Sequence, residues 1–398
     1  MPVESHHMRI SWADCGLCLL ISLCWVVCSV GQLTKHFHEN TVFFLLAGVL
    51  GIAVVLAGLR WLQSRRRAQI HWAWLAAFWV IMVALYAVLY PIAQSHIYGP
   101  GSDGEDALRI AASQMLQLHF PYYLHTYLGN AITPMPGALM LAVPFLLIGR
   151  VSLQNPVWLA VFIFFCVKFF RFRSTALAFL LVILLAGVDV LDDFVVGYDY
   201  SINTFYICVA VFFFLRTFEE DEKGWQHILA GVFLGVALSS RAIYVVIPPL
   251  VLAYMLQHKK GATAALRSLL LPILTAVAIT VPYCLYDPAH FSPLYVKGKL
   301  NFLPPEYAII LMFLLPALAL LIACTGFFLR LAISRLFLLA GLASAMILLP
   351  SGLIAFSLLK LEYGLEWVDY SEAAAIFVAL WAFSRFENGS RCDLEAIG

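Results

Sequence analysis

The chain has 398 residues, 63% hydrophobic and only 12% charged, against about 25% charged in an average soluble domain. Its mean hydropathy of +0.91 excludes a soluble globular protein and a disordered one alike, because apolar runs recur throughout with no polar block of domain size between them. A net charge of +1 gives no general field for a polyanion, so nucleic acid is not an expected partner.

Arg9 precedes an apolar run over 12–33 that is long for a signal peptide and has no clear small-x-small cleavage site, so it reads as a retained first helix. Cys15 and Cys18 stand there at a metal-like spacing without a second Cys or His pair nearby, and read as small core hydrophobes. A run at 41–62 leads to the triplet Arg65, Arg66, Arg67, and another covers 71–93. The polar stretch 94–134 follows as a loop. Residues 135–149, with Pro136 and Pro144, form a short segment that either re-enters the bilayer or spans it. Further runs lie at 156–170, 174–191, 202–217, 226–240, 242–257, 266–285, 307–329, 334–358 and 371–386. The expected fold is all-α, a polytopic transmembrane bundle of about twelve spans across a hydrocarbon core of roughly 30 Å. It divides into two N-terminal transmembrane helices in 1–70, a transmembrane core over 71–285 that includes the loop 94–134, and C-terminal transmembrane helices over 286–398.

Lys and Arg concentrate in cytoplasmic loops of membrane proteins, so the arginine triplet fixes one side and alternation fixes the rest. With 135–149 re-entrant, seventeen of the 24 basic residues fall inside, and both termini are cytoplasmic. The re-entrant reading is favoured because a full crossing would put several downstream basic clusters outside. Carboxylates go the other way: Asp103, Glu105, Asp106, Asp189, Asp192, Asp193, Asp199, Asp287, Glu306, Glu362, Glu366 and Asp369 all fall in outer loops. Acids have little influence on insertion, so the enrichment suggests an outward-facing site, set against the plain alternative of solvated loop charge.

Within 94–134, Leu108, Ala111, Ala112, Met115 and Leu116 share one face of an amphipathic helix expected to lie along the outer membrane surface. Asp103 suits its N-cap, with Asp106 at the third helical position as in a capping box. Capping accounts for one acid but does not require Asp103, Glu105 and Asp106 together with Arg109 a turn later. Beyond the helix, His119, Tyr122, Tyr123, His125 and Asn130 mix aromatic rings with amide and imidazole groups. Such a mixture serves an interfacial belt, or stacks on a pyranose and bonds its hydroxyls.

A second acidic stretch, Asp189 to Asp199, falls on the same side, so two outer loops are positioned to converge. Carboxylates from two loops either share a hard divalent cation or divide base and orienting roles between them. Arg241, after Ser239 and Ser240, interrupts a long apolar stretch at an outer helix end, where it is available to a lipid phosphate or to an ion pair with a loop acid.

In this order, Asp103-Gly-Glu-Asp-Ala-Leu-Arg-Ile-Ala-Ala, Phe120-Pro-Tyr-Tyr, Pro136-Gly-Ala-Leu, Gly197-Tyr-Asp199-Tyr and Ala230-Gly-Val-Phe-Leu-Gly-Val-Ala-Leu-Ser-Ser-Arg241, the chain resembles the polyprenyl-phosphate-dependent membrane glycosyltransferases of the GT-C superfamily. The resemblance covers about residues 70–285 and lies in the ordered set. It implies transfer of a sugar with inversion from a polyprenyl-phosphate donor to a glycan or lipid-linked acceptor, at the outer face of the plasma membrane. Asp103 would be the base and Asp199 a second-loop partner. Arg241 would contact the phosphate, and Glu105, Asp106, Arg109, His119, Tyr122, Tyr123, His125 and Asn130 would line the substrate site. No cofactor is certain, and a divalent cation stays open. The departures from the family pattern are two extra helices before the core and no large soluble C-terminal domain, which turns the expected acceptor from a protein toward a small lipid-linked glycan. The alternative is a multi-pass transporter of a small or lipid-linked solute. A transporter calls for ionisable groups near the bilayer midplane and paired halves, whereas here the charges sit at span ends.

Overall fold

A computed structural model describes residues 12–64, 69–97, 101–186, 188–220, 224–258, 261–294, 305–358 and 371–395. The triplet Arg65, Arg66, Arg67 that orients the chain, and the acids Glu362, Glu366 and Asp369, lie outside these residues. Helices follow one another with short connections, and no strand occurs among the described residues. In chain order they are α1 (Trp12–Phe37), α2 (Thr41–Ser64), α3 (Trp72–Gln94), α4 (Gly104–Leu116), α5 (Pro136–Leu147) and α6 (Gln154–Phe169). Then come α7 (Arg173–Leu181), which widens into a π turn at Val182–Ala186, α8 (Asp189–Val196), α9 (Tyr200–Glu219) and α10 (Trp225–Leu238). A 3-10 turn at Ala242–Val246 runs into α11 (Ile247–Gln257), followed by α12 (Ala262–Tyr286), α13 (Pro305–Cys324), α14 (Ile333–Leu358) and α15 (Glu372–Glu395).

Among the described residues, eight helices are long and apolar enough to cross a membrane: α1, α2, α3, α6, α9, α12, α13 and α14. The segments Arg173–Leu185 and Asp189–Val196, bent by 78°, make a ninth if they form one broken span. The chain is therefore an integral, multi-pass helical membrane protein. The sequence expectation of about twelve spans is higher because apolar runs were counted without regard to helix length. Residues 226–240 fold mostly as the 14-residue α10, about 21 Å at 1.5 Å per residue. Residues 242–257 begin as a 3-10 turn and continue as an 11-residue helix.

The main core is aromatic. Phe162 stacks on Phe205 with ring centroids 4.1 Å apart, and Phe337 stacks on Phe377 at 5.8 Å. Offset rings of this kind add attraction beyond their buried area, and they tie α6 to α9 and α14 to α15.

A smaller, separate core joins α4 to α5. The helix face carrying Leu108, Ala111 and Ala112 is fully buried against Ile132, Leu139 and Ala142. This corrects the expectation that the apolar face of α4 is presented to the membrane surface: all of it but Leu116, 45% exposed, packs in this core with α5. Helix α5 has 12 residues, about 18 Å long and too short for a 30 Å core. Both of its flanks meet the same end of the bundle. The Gly137 N–H donates to Ser239 O at 3.0 Å, and the Ser152 N–H beyond it donates to Glu105 Oε1 at 3.2 Å.

The bundle thus has two chemically distinct ends. At one, Gln69 Nε2 donates to Arg171 O, and Glu387 accepts from the N–H groups of Arg171 and Phe172. At the other sit the acidic loops around Asp103 and Asp199.

Candidate functional site

Asp103 occupies the N-cap position of α4, but its side chain makes no capping bond. Oδ2 instead accepts from Thr126 Oγ1 at 2.5 Å and from Asn130 Nδ2 at 2.8 Å. The partners come from a tight turn closed by Thr126 N–H to Asn130 O at 2.9 Å, with Gly129 at φ +81°. Among the described residues Oδ1 of Asp103 has no hydrogen bond, and the residue is half-buried. The capping-box expectation for Asp106 is also revised. Its Oδ1 pairs with Arg109 at 2.5 Å, and its Oδ2 accepts from the Tyr127 N–H at 3.0 Å. Burial, and then the charges of Asp103 and Asp106, raise the pKa of the Tyr127 phenol.

Glu105 faces away from this turn. It is buried, accepting from Tyr90 Oη at 2.7 Å, from Gln94 Nε2 at 3.0 Å and from the Ser152 N–H. These bonds hold α3, α4 and the start of α6 together. The geometry thus gives Glu105, expected at the substrate site, a scaffold position.

Two glycines bring the second acidic loop against the first. Gly197 ends α8 in the left-handed conformation, φ +86°, which a side chain resists. A Cβ there would also lie 2.7 Å from Ser152 Cβ and 3.1 Å from Glu105 Oε2. A Cβ on Gly104 would overlap the ring of Tyr198, so that ring lies directly on the α4 backbone next to Asp103. Asn155 fixes the same turn from α6, its Nδ2 donating to the carbonyls of Asp193, Phe194 and Tyr198 at 3.1–3.2 Å.

Past Tyr198, Arg241 Nη2 donates to Asp199 Oδ1 at 2.7 Å, and Asp199 Oδ2 accepts from Asn203 Nδ2 at 3.0 Å. Both charged side chains are more than nine-tenths buried. The guanidinium lies 5.9 Å from the Tyr198 ring centroid and 5.3 Å from that of Tyr200, within cation–π range. Its Nε is buried with no hydrogen-bond partner. Tyr198 therefore stands between Asp103 on one loop and Arg241 on the other.

The remaining expected residues divide. Tyr122 is buried beside Phe120 and Phe291, its hydroxyl donating to Pro134 O at 3.2 Å. Burial, reinforced by Tyr283, pushes this phenol well up. Tyr123 is exposed and donates to Asp287 Oδ2 at 3.0 Å, while His290 Nδ1 lies 2.9 Å from the same oxygen. Desolvation works to raise the Asp287 pKa, but the bonds from Tyr123 and His290 outweigh it and hold the carboxyl below the usual carboxylate range. His119 and His125 are exposed on the rim. The structure thus brings Asp103, Asp106, Arg109 and Asn130 into one cluster, with Asp199 and Arg241 behind Tyr198. Sequence reasoning gave no site role to Thr126, Tyr198, Asp287 or His290, although Asp287 stands among the outer-loop acids and Tyr198 lies within Gly197-Tyr-Asp199-Tyr; nothing in the sequence marks Thr126 or His290 apart from their neighbours. Among the described residues, no three His, Cys, Asp or Glu side chains converge as metal ligands.

No protein-family model matches the chain, and comparisons with curated proteins and with solved structures return no match.

Proposed function

We propose that the protein is a GT-C-type membrane glycosyltransferase that moves a sugar, with inversion, from a polyprenyl-phosphate donor to a lipid-linked or envelope glycan at the outer face of the plasma membrane. In this reading the acidic end faces outward. Both termini are cytoplasmic in this reading.

The observation that carries the proposal is the asymmetry of Asp103. One carboxylate oxygen is pinned by Thr126 and Asn130, and the other has no described partner. A carboxylate fixed in this way is oriented to accept a proton. In the proposed step the acceptor hydroxyl gives its proton to Asp103 Oδ1. Its oxygen bonds to the anomeric carbon as that carbon's bond to the phosphate oxygen breaks. Polyprenyl phosphate leaves as an anion and needs little protonation, so one carboxylate suffices, unlike the paired acids of glycoside hydrolysis.

Arg241 supports the phosphate role, since its orphaned Nε is a buried donor facing no acceptor and a phosphate oxygen is a strong one. Asp199 keeps the guanidinium in place. The exposed ring of Tyr123 and the rim residues Arg109, His119, His125 and Asn130 offer stacking and hydroxyl-bonding groups for the sugars.

The test compares lipid-linked and envelope glycans from cells carrying the native chain, a deletion and Asp103→Asn. The asparagine variant is expected to insert normally and to lose the product, as the deletion does. Normal product from Asp103→Asn would remove Asp103 from the mechanism.

A further inference from the structure

At the end of the bundle opposite Asp103, a groove of 320 Å³ opens between α14 and α15, lined by Leu329, Arg335, Leu338, Leu339, Trp381 and Arg385. Arg335, Leu338 and Leu339 follow one another at three- and four-residue spacing on α14, and Trp381 and Arg385 do so on α15. Two helices therefore each present one guanidinium beside apolar side chains. Both arginines are exposed, and among the described residues neither is in an ion pair. Arg335 uses Nη1 on Arg330 O at 2.8 Å. Glu387, the described acid closest to Arg385 in sequence, is already occupied by the Arg171 and Phe172 N–H groups and the Thr175 hydroxyl. Next to the groove, the turn before α14 holds Phe327, Phe328 and Leu329 in the open, Phe328 at 89% exposure.

We propose that this groove binds the headgroup of an anionic phospholipid. Two unpaired guanidiniums supply the charge complement, and Arg matches phosphate oxygens with paired N–H donors. The leucines and Trp381 sit where the upper acyl chain would run, and exposed aromatic rings are characteristic of the headgroup level. The same end carries Arg171, Arg173 and Arg330, with Arg60 and Arg216 held in ion pairs by Asp14 and Glu219, and an excess of arginine is expected on the side that meets the anionic leaflet. The inference rests on the multi-pass membrane fold and is independent of the sugar-transfer proposal.

The test uses the full-length chain in nanodiscs of phosphatidylcholine mixed with phosphatidylglycerol, extracted and weighed by native mass spectrometry to count retained lipids. Native protein is expected to retain phosphatidylglycerol over phosphatidylcholine. Arg335→Gln and Arg385→Gln are each expected to weaken that preference about five-fold, the ratio equivalent to about 1 kcal/mol per basic residue near an anionic surface. Arg267→Gln, exposed on α12 outside the groove, is expected to leave it unchanged. Equal retention of the two lipids by native protein would overturn the proposal. So would an Arg267→Gln effect as large as those in the groove, which would mean diffuse surface charge. Displacement of the lipid by inorganic phosphate at comparable concentration would assign the groove to a soluble anion instead. Unchanged thermal unfolding of both groove variants in pure phosphatidylcholine shows that any loss is not misfolding.

Discussion

Two arginine–aspartate pairs stand at this end of the bundle, and they differ in almost everything but chemistry. Arg109 and Asp106 sit three residues apart on one helix, with the arginine 57% exposed. Arg241 and Asp199 join two segments 42 residues apart and are 9% and 2% exposed. Water screens the first pair, whereas the second depends on its partner to remain charged inside the protein. The contrast teaches that charge at this end of the bundle has two uses: a buried pair that ties the segment after α10 to the start of α9, and a partly exposed pair on α4 at the rim.

Breaking the buried pair is expected to have the largest effect. Asp199→Ala strands a guanidinium that has no other described carboxylate, and should lower the unfolding free energy by about 3–5 kcal/mol. SDS titration of the purified protein in mixed micelles reads this directly. If the pair is a positional device, Asp199→Leu combined with Arg241→Met should be more stable than either single change, because two apolar side chains leave no charge behind. A double variant less stable than both singles would show that the ionic bond itself holds the loops.

The next test concerns the contact between Tyr198 and the start of α4. Gly104→Ala puts a methyl where the Tyr198 ring lies, so either the ring or the start of α4 must move. The expected cost is about 1–3 kcal/mol, typical of overpacking. Tyr198→Ala in the same chain should recover part of it, and the double-mutant cycle measures the coupling. Additive losses would mean that Gly104 and Tyr198 do not press on each other.

Much of this arrangement was legible in the sequence, for physical reasons. Apolar runs and their loops report burial in lipid directly, so α1, α2, α3 and α12 fall where the hydropathy places them. The acidic segment within 94–134 also resolves into a helix that starts at Gly104, because Asp103 and the glycines around it break the preceding structure. On the face of α4 the sequence places Leu108, Ala111 and Ala112 correctly, whereas Leu116 is 45% exposed; periodicity says which side is apolar and not whether lipid or protein covers it. Glu105 stands in the sequence as a substrate-lining acid beside Asp103. Its burial comes from Tyr90, Gln94 and Ser152, which lie 11 to 47 residues away along the chain, and no local pattern reports a contact of that kind. The span count rose for the same reason: the apolar content of 226–240 is evident, but where its helix stops is set by packing.

The smallest expected effect is at the exposed pair, and it is the one that limits how far the comparison reaches. Arg109→Ala removes a partner from Asp106, but that carboxylate keeps the Tyr127 N–H at 3.0 Å, and the arginine it loses is itself mostly in solvent. An i,i+3 helix pair of this kind is worth about 0.3–0.5 kcal/mol, and salt reduces it further. The unfolding free energy of Arg109→Ala should therefore lie within about 0.5 kcal/mol of native, with the gap closing as ionic strength rises. Because stability barely moves, any change this variant makes in the product of the proposed sugar transfer reads a contact to the proposed substrate. A loss above 1 kcal/mol that persists in high salt would instead mean that the rim, like the Asp199 pair, is part of what holds the loops together.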